Sequence, residues 1–144
     1  MGIIDIIQSI IQAIISSFRP RPSPPEFISQ LLQLHNDHRQ QLGIPALTLN
    51  NILDVTAQSH SDWMYNNHIL SHLEGNVAPQ DRISAAGYPW KDCGENIGNY
   101  PSAQSMFEAW LESPEHRSNI ENVLFKDVGI GLTGNYWTVD FGLR

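Results

Sequence analysis

The sequence predicts an α+β fold, and three observations carry that prediction. Apolar residues recur at helical spacing in several segments ahead of Phe125. Two short alternating runs follow, joined by Gly134-Asn135. Gly and Pro punctuate the steps between segments. With 144 residues the chain is long enough to bury a core, and a hydrophobic fraction of 41% is that of a globular protein. A net charge of -7 with no basic cluster excludes a nucleic-acid backbone as partner. Cys93 is the one cysteine, so the fold stands on packing without an internal disulfide, and the redox compartment is left open.

Residues 2–18 come first. Ile4, Ile7, Ile11, Ile14 and Phe18 fall on an alternating three-four spacing, and Ile3, Ile10 and Ile15 widen the stripe. Asp5, Gln8, Ser9, Gln12 and Ser16 take the opposite side. The pattern is an amphipathic helix with a wide apolar face. It lacks the basic start and small-residue cleavage site of a signal peptide, and it is too short and interrupted to span a bilayer. Ile6 stands where a myristoylation signal needs Ser or Thr. Arg19-Pro20-Arg21-Pro22-Ser23-Pro24-Pro25 then excludes a helix and favours a semi-rigid, extended spacer. The expected organisation is a tag helix at 1–18, a linker at 19–25 and a domain at 26–144.

In the domain, Ser23-Pro24-Pro25-Glu26 has capping-box spacing and opens a helix over 26–42, which Gly43 and Pro45 end. Leu47-Thr48-Leu49 is a short extended link. Asn50 is the expected N-cap of a helix over 51–67, on which Leu53, Ala57, His60 and Met64 step by four or three. A polar loop carries His68, Ser71 and His72. A short helix over 80–86 ends at Gly87, and the segment 93–98 reads as a strand edge. Phe107, Trp110 and Leu111 place a helix up to Glu112. Pro114 cannot continue it but suits the first position of another, with Ser113 as its N-cap and His116 in its first turn. Val128, Ile130 and Leu132, then Trp137, Val139 and Phe141, alternate about Gly134-Asn135 and form a hairpin. Gly129 and Gly131 imply that another element packs closely on its first strand.

These pieces resemble the CAP superfamily of cysteine-rich secretory proteins, antigen 5 and pathogenesis-related proteins, in its bacterial form. The resemblance rests on pieces in a fixed order over 26–144. They are His35-Asn36 with Arg39; Leu47-Thr48-Leu49; Ser71-His72; Asp81-Arg82 with Gly87-Tyr88; Gly94-Glu95-Asn96-Ile97; Trp110 with the corner from Ser113 to Ile120; Val128-Gly129-Ile130-Gly131; and Tyr136-Trp137 with Phe141-Gly142. The resemblance implies a three-layer α-β-α sandwich with a small antiparallel sheet. It implies a cleft built on His72, Glu95 and His116. The family's second glutamate falls at Ser113 here, so Glu112 and Glu115 are adjacent candidates, no better supported than Glu108. An extracellular or cell-envelope location is also implied. Without a clear signal peptide, cytoplasmic production with non-classical export is the other expectation.

Two neutral imidazoles are good zinc ligands, so His72 and His116 are the candidate metal pair, with Glu95 or water completing the shell. Glu95 can instead orient an imidazole through its second N–H, and the three side chains can serve general acid–base chemistry. A purely architectural role, tying loop to sheet and corner, is equally open. Cys93 lies two residues from Glu95 and faces the same way on a strand. It is a small packed thiol or, beside histidines, a nucleophile. The expected function is a binding module with a cleft for a metal ion, lipid or peptide. The other class is a zinc-dependent or His/Glu-dependent, peptidase-like hydrolase, held back by the lack of a clear nucleophile. The helix at 2–18 implies self-association or a protein partner ahead of a membrane surface, because its polar face bears Asp5 and no Lys or Arg.

Overall fold

A computed structural model describes residues 2–17 and 24–144. Phe18 and linker residues 19–23 lie outside the described residues. The described elements are α1 (Ile3–Ser17), α2 (Glu26–Gln41), β1 (Thr48–Leu49), α3 (Asn51–Asn67), α4 (Pro79–Ala85), β2 (Asp92–Asn99), α5 (Ala103–Glu112), α6 (Pro114–Glu121), β3 (Asp127–Thr133) and β4 (Tyr136–Leu143).

The sheet runs in the order β1-β3-β4-β2. Its hairpin, β3 and β4, turns at Gly134, which has φ 58°. β2 pairs with β4 in antiparallel register, setting Glu95 opposite Asp140. The sheet departs from the antiparallel expectation at one edge, where β1 pairs with β3 in parallel. Thr48 N–H donates to Lys126 C=O and Asn50 N–H to Val128 C=O, both at 2.9 Å. A two-residue strand between helices has no periodicity of its own, and only this distant pairing defines it.

Helices cover both faces. On one, α3 lies against β3 so closely that a Cβ at Gly129 or Gly131 would overlap the α3 backbone at Leu53 and Ala57. On the other, Ile28 and Leu31 of α2, Met106, Phe107 and Trp110 of α5 and Ile120 of α6 form the main core with Val128, Ile130, Val139 and Phe141. Burying each such side chain contributes about 1.5–3 kcal/mol. Asn50 caps α3 as expected, its Oδ1 accepting from the Ile52 and Leu53 amides.

The polar residues of α2 are structural. Arg39 is fully buried and donates to the carbonyls of Pro45, Ile120, Asn122 and Phe125 at 2.8–3.1 Å. It thereby fixes the exit of α6, and so the corner that bears His116. Asn36 exchanges two bonds with the Leu47 backbone. His35 donates to Leu31 C=O at 2.7 Å amid Phe107, Trp110 and Phe141, and burial pulls its pKa down to about 4, so it is a neutral core residue.

The isoleucines of α1 are exposed, from 45% at Ile6 to 74% at Ile3. No helix among the described residues is long and apolar enough to cross a membrane.

Candidate functional site

β2 is the free edge of the sheet, and its two faces serve two helical layers. Glu95 points toward α3 and α4. Its side chain is 1% exposed, and a bare carboxylate there requires partners. Arg82 of α4 supplies them: its Nη2 donates to Oε1 at 3.1 Å and Oε2 at 3.0 Å, and also to His72 C=O at 2.8 Å. His72 Nδ1–H donates to Glu95 Oε1 at 2.9 Å. Burial raises the Glu95 pKa and Arg82 opposes that shift.

Asn96, the next residue, points to the opposite face. Its Nδ2 donates to His116 C=O at 3.0 Å, and Asn119 Nδ2 donates to Asn96 Oδ1 at 2.8 Å. His116 Nδ1 lies 2.8 Å from Ser113 Oγ. Ser113 stands at the N-cap of α6 but makes no side-chain cap bond; its hydroxyl is spent on the imidazole. Ser113, and neither Glu112 nor Glu115, is the residue whose side chain meets the His116 ring. Glu112 and Glu115 are both exposed and make no hydrogen bond to a histidine. Glu115 is still close enough for its charge to oppose the downward shifts of both imidazoles.

Each imidazole is thus held through Nδ1, and among the described residues neither Nε2 has a hydrogen-bond partner. Burial lowers the pKa of both rings. Each is further lowered by a neighbouring positive charge, Arg82 for His72 and His72 for His116. With both values lowered from 6.5, the neutral form of each ring is favoured at neutral pH, and the His72 charge opposes protonation of His116 in acid. Among the described residues no group of three or more His, Cys, Asp or Glu side chains is arranged to hold an ion, so the two histidines would need water or a bound molecule to complete a zinc shell.

Three residues behind His72, namely His60, Glu74 and Asp140, are not evident from sequence. His60, fully buried on α3, lies 2.7 Å from Ser71 C=O through Nε2 and 2.8 Å from Glu74 Oε1 through Nδ1. It therefore grips the loop on both sides of His72 and stacks on Trp63. The spacing of eleven and fourteen residues gives no periodic signal. Burial pulls its pKa down, while Glu74 pulls it up. The third is Asp140. Its pKa is raised well above 3.8, first by burial and then by the charge of Glu95 across the ladder. Thr56 Oγ1 lies 2.8 Å from Asp140 Oδ2 and 3.0 Å from Leu53 C=O. One hydroxyl proton cannot serve two acceptors, and a neutral Asp140 carboxyl resolves the conflict.

Cys93 packs with Leu53, Ile83 and Tyr88, and its thiol is pushed up to about 11 by burial and then by Asp92, Asp140 and Glu95. It is a thiol at neutral pH and not an activated nucleophile.

The model of the cysteine-rich secretory protein (CAP) family matches residues 32–141. The chain belongs to the CAP family. This CAP domain is 29% identical over 116 residues to YkwD of Bacillus subtilis, covering 78% of this chain and 45% of that protein. The chain spans less than half the length of the curated relatives it matches. Among solved structures, an extracellular SCP-domain protein of Bacillus anthracis superposes with a TM-score of 0.77 at 24% identity, over 88% of this chain and 45% of its own. An outer surface protein of Borrelia burgdorferi gives 0.79 at 21% identity, over 85% and 96%. These likenesses establish the CAP fold.

Proposed function

We propose that this CAP domain is a binding module whose cleft presents His72 and His116 to a divalent metal, zinc by the chemistry of the donors, and to a molecule that completes the metal's shell. The observation that carries this reading is the pair of imidazoles oriented through Nδ1, with both Nε2 atoms unengaged. An outer partner on one ring nitrogen is the arrangement that prepares the other for a metal. Glu95 and Ser113 are the orienting groups. A bound zinc would act as a Lewis acid toward that molecule. The zinc-dependent or His/Glu-dependent hydrolase is the less supported reading because no side-chain nucleophile of lowered pKa stands beside the histidines among the described residues, the Cys93 thiol being raised to about 11.

Calorimetric titration with zinc tests this. One site per chain is expected, lost in His72→Ala and in His116→Ala. Affinity should fall only below about pH 6, since both rings have pKa values lowered from 6.5 and ligate when neutral. Undiminished zinc binding in both variants would refute the assignment.

The α1 stripe supports a second part of the reading, attachment. Ile4, Ile7, Ile11 and Ile14 occupy alternating three-four positions and are exposed; isoleucine at both core positions of a coiled coil favours three or more strands. We infer that residues 2–18 join copies of the chain or dock on a protein partner in preference to anionic lipid. The full chain should sediment as an oligomer and a chain beginning at Ser23 as a monomer. A monomeric full chain, with α1 seated on its own domain, would refute self-association. The extracellular and outer-surface settings of the structural relatives favour the cell surface as the place of action.

A further inference from the structure

A cavity of about 270 Å³ opens beside His116, walled by Leu70, Ile97, Met106, Ala109 and Trp110, with Ser113 and His116 on its rim. Trp110 and Met106 close its base and are 1% and 2% exposed. The indole N–H is committed to Ile97 C=O at 3.0 Å. Asn99 and Tyr100 also line the cavity, so its polar groups are the Asn99 amide, the Tyr100 hydroxyl and His116 Nε2. Leu70 and Tyr100 line the same cavity while 50% and 42% exposed, and Ile69 and Leu73 beside them in sequence are 46% and 47% exposed. Apolar side chains left open around a pocket mark a contact surface.

Size and charge narrow the occupant. Small-molecule pockets run to about 300–1,000 Å³, so at about 270 Å³ this cavity is at the small end and has room for one medium-sized apolar side chain. Glu112 and Glu115 are exposed next to Ser113 and His116 in sequence, and Glu115 is close enough for its charge to act on the His116 ring. Arg117, the nearest cation along the chain, is turned to Glu121, with its Nε 2.9 and 3.1 Å from the two carboxylate oxygens. A free carboxylate on a ligand would meet like charge here, and a basic group would meet its complement.

We propose that the cavity seats one medium-sized apolar side chain of an extended peptide, with a basic residue beside it facing Glu112 and Glu115 and the peptide backbone lying against His116. The assignment rests on the reading of this cleft as a binding site and names its ligand class.

The test uses the full chain, in chelator, with three labelled probes: acetyl-Lys-Leu-Lys-amide, acetyl-Lys-Ser-Lys-amide and acetyl-Glu-Leu-Glu-amide. Fluorescence polarisation should rank the first at least tenfold tighter than either of the others. Ala109→Leu, which fills the cavity, should abolish that preference. Ala109 is half-buried, so Leu70→Ser at an exposed position is the second variant and should weaken the Leu probe severalfold. Glu115→Lys should reverse the order of the two Leu probes. Equal binding of the Leu and Ser probes overturns the proposal, as does tighter binding of myristate than of any peptide at the same cavity. A zinc titration on the same sample separates the two readings. Zinc binding without peptide discrimination overturns the peptide assignment alone. Leu-probe preference without zinc binding supports it and removes the metal.

Discussion

Replacing Asp140 by Asn should stabilise the protein at neutral pH and leave it unchanged in acid. Asp140 is buried beside Glu95, and its Oδ1 has no hydrogen-bond partner. Its folded pKa is raised, so the native state holds the proton more tightly than the unfolded chain does. Such a group contributes stability below the ordinary value of 3.8, and that contribution is lost as pH rises through the folded value. At pH 7.5 the unfolded chain has released the proton, and folding must either recapture it or bury a charge. Asparagine has the same shape, is neutral at every pH, and keeps a donor for Thr56 or Glu95. Relief of one buried, poorly satisfied group is worth about 1–2 kcal/mol. At this chain length that is about 4 °C in Tm per kcal/mol, hence a rise of about 4–8 °C for D140N at pH 7.5. Differential scanning calorimetry from pH 7.5 down to pH 4 reads it, and the gap should narrow toward zero at the acid end. A D140N protein less stable at pH 7.5, or a gain that ignores pH, would refute the neutral-carboxyl account.

Two further substitutions probe the supports. Gly131→Ala places a methyl on the backbone of α3 at Ala57 and Gln58, and urea denaturation should show a loss of at least about 1–3 kcal/mol, the usual cost of overpacking. His60→Phe keeps a ring on Trp63 but drops the bonds to Ser71 and Glu74; amide exchange over residues 69–77 should quicken, with zinc binding weakened though His72 is intact.

Local signals carried most of the fold. The bounds of α3 follow from Asn50 and a four-three apolar step, and the hairpin from alternation about Gly134-Asn135. Gly129 and Gly131 imply a close neighbour on β3, and that neighbour is the backbone of α3. β1 resisted as a paired strand, because its parallel partner is far along the chain. In the cleft, motif order singled out His72, Glu95 and His116, and the structure pairs His72 with Glu95 and His116 with Ser113. The groups behind them were illegible for the same reason as β1: Glu95 meets Asp140 only through strand pairing, and His60 meets Glu74 only through a loop closure. One clue was available for Asp140. A strand covered by helices on both faces has no solvent side, so a charged residue on it must find a partner inside.

The alternation of β2 has a consequence for how the cleft can vary. Glu95 bonds the His72 ring in one helical layer and Asn96 bonds the His116 backbone carbonyl in the other, so adjacent residues of one edge strand anchor the segments of both histidines. A slip of β2 by one residue along β4 would exchange these roles, aiming the carboxylate at α6 and the amide at Arg82. The same slip would turn a side chain onto Met106, where Gly98 now leaves room. Single-residue insertions or deletions inside residues 92–99 should therefore cost stability as well as the cleft, whereas changes of length at Pro101 leave the strand's phase intact.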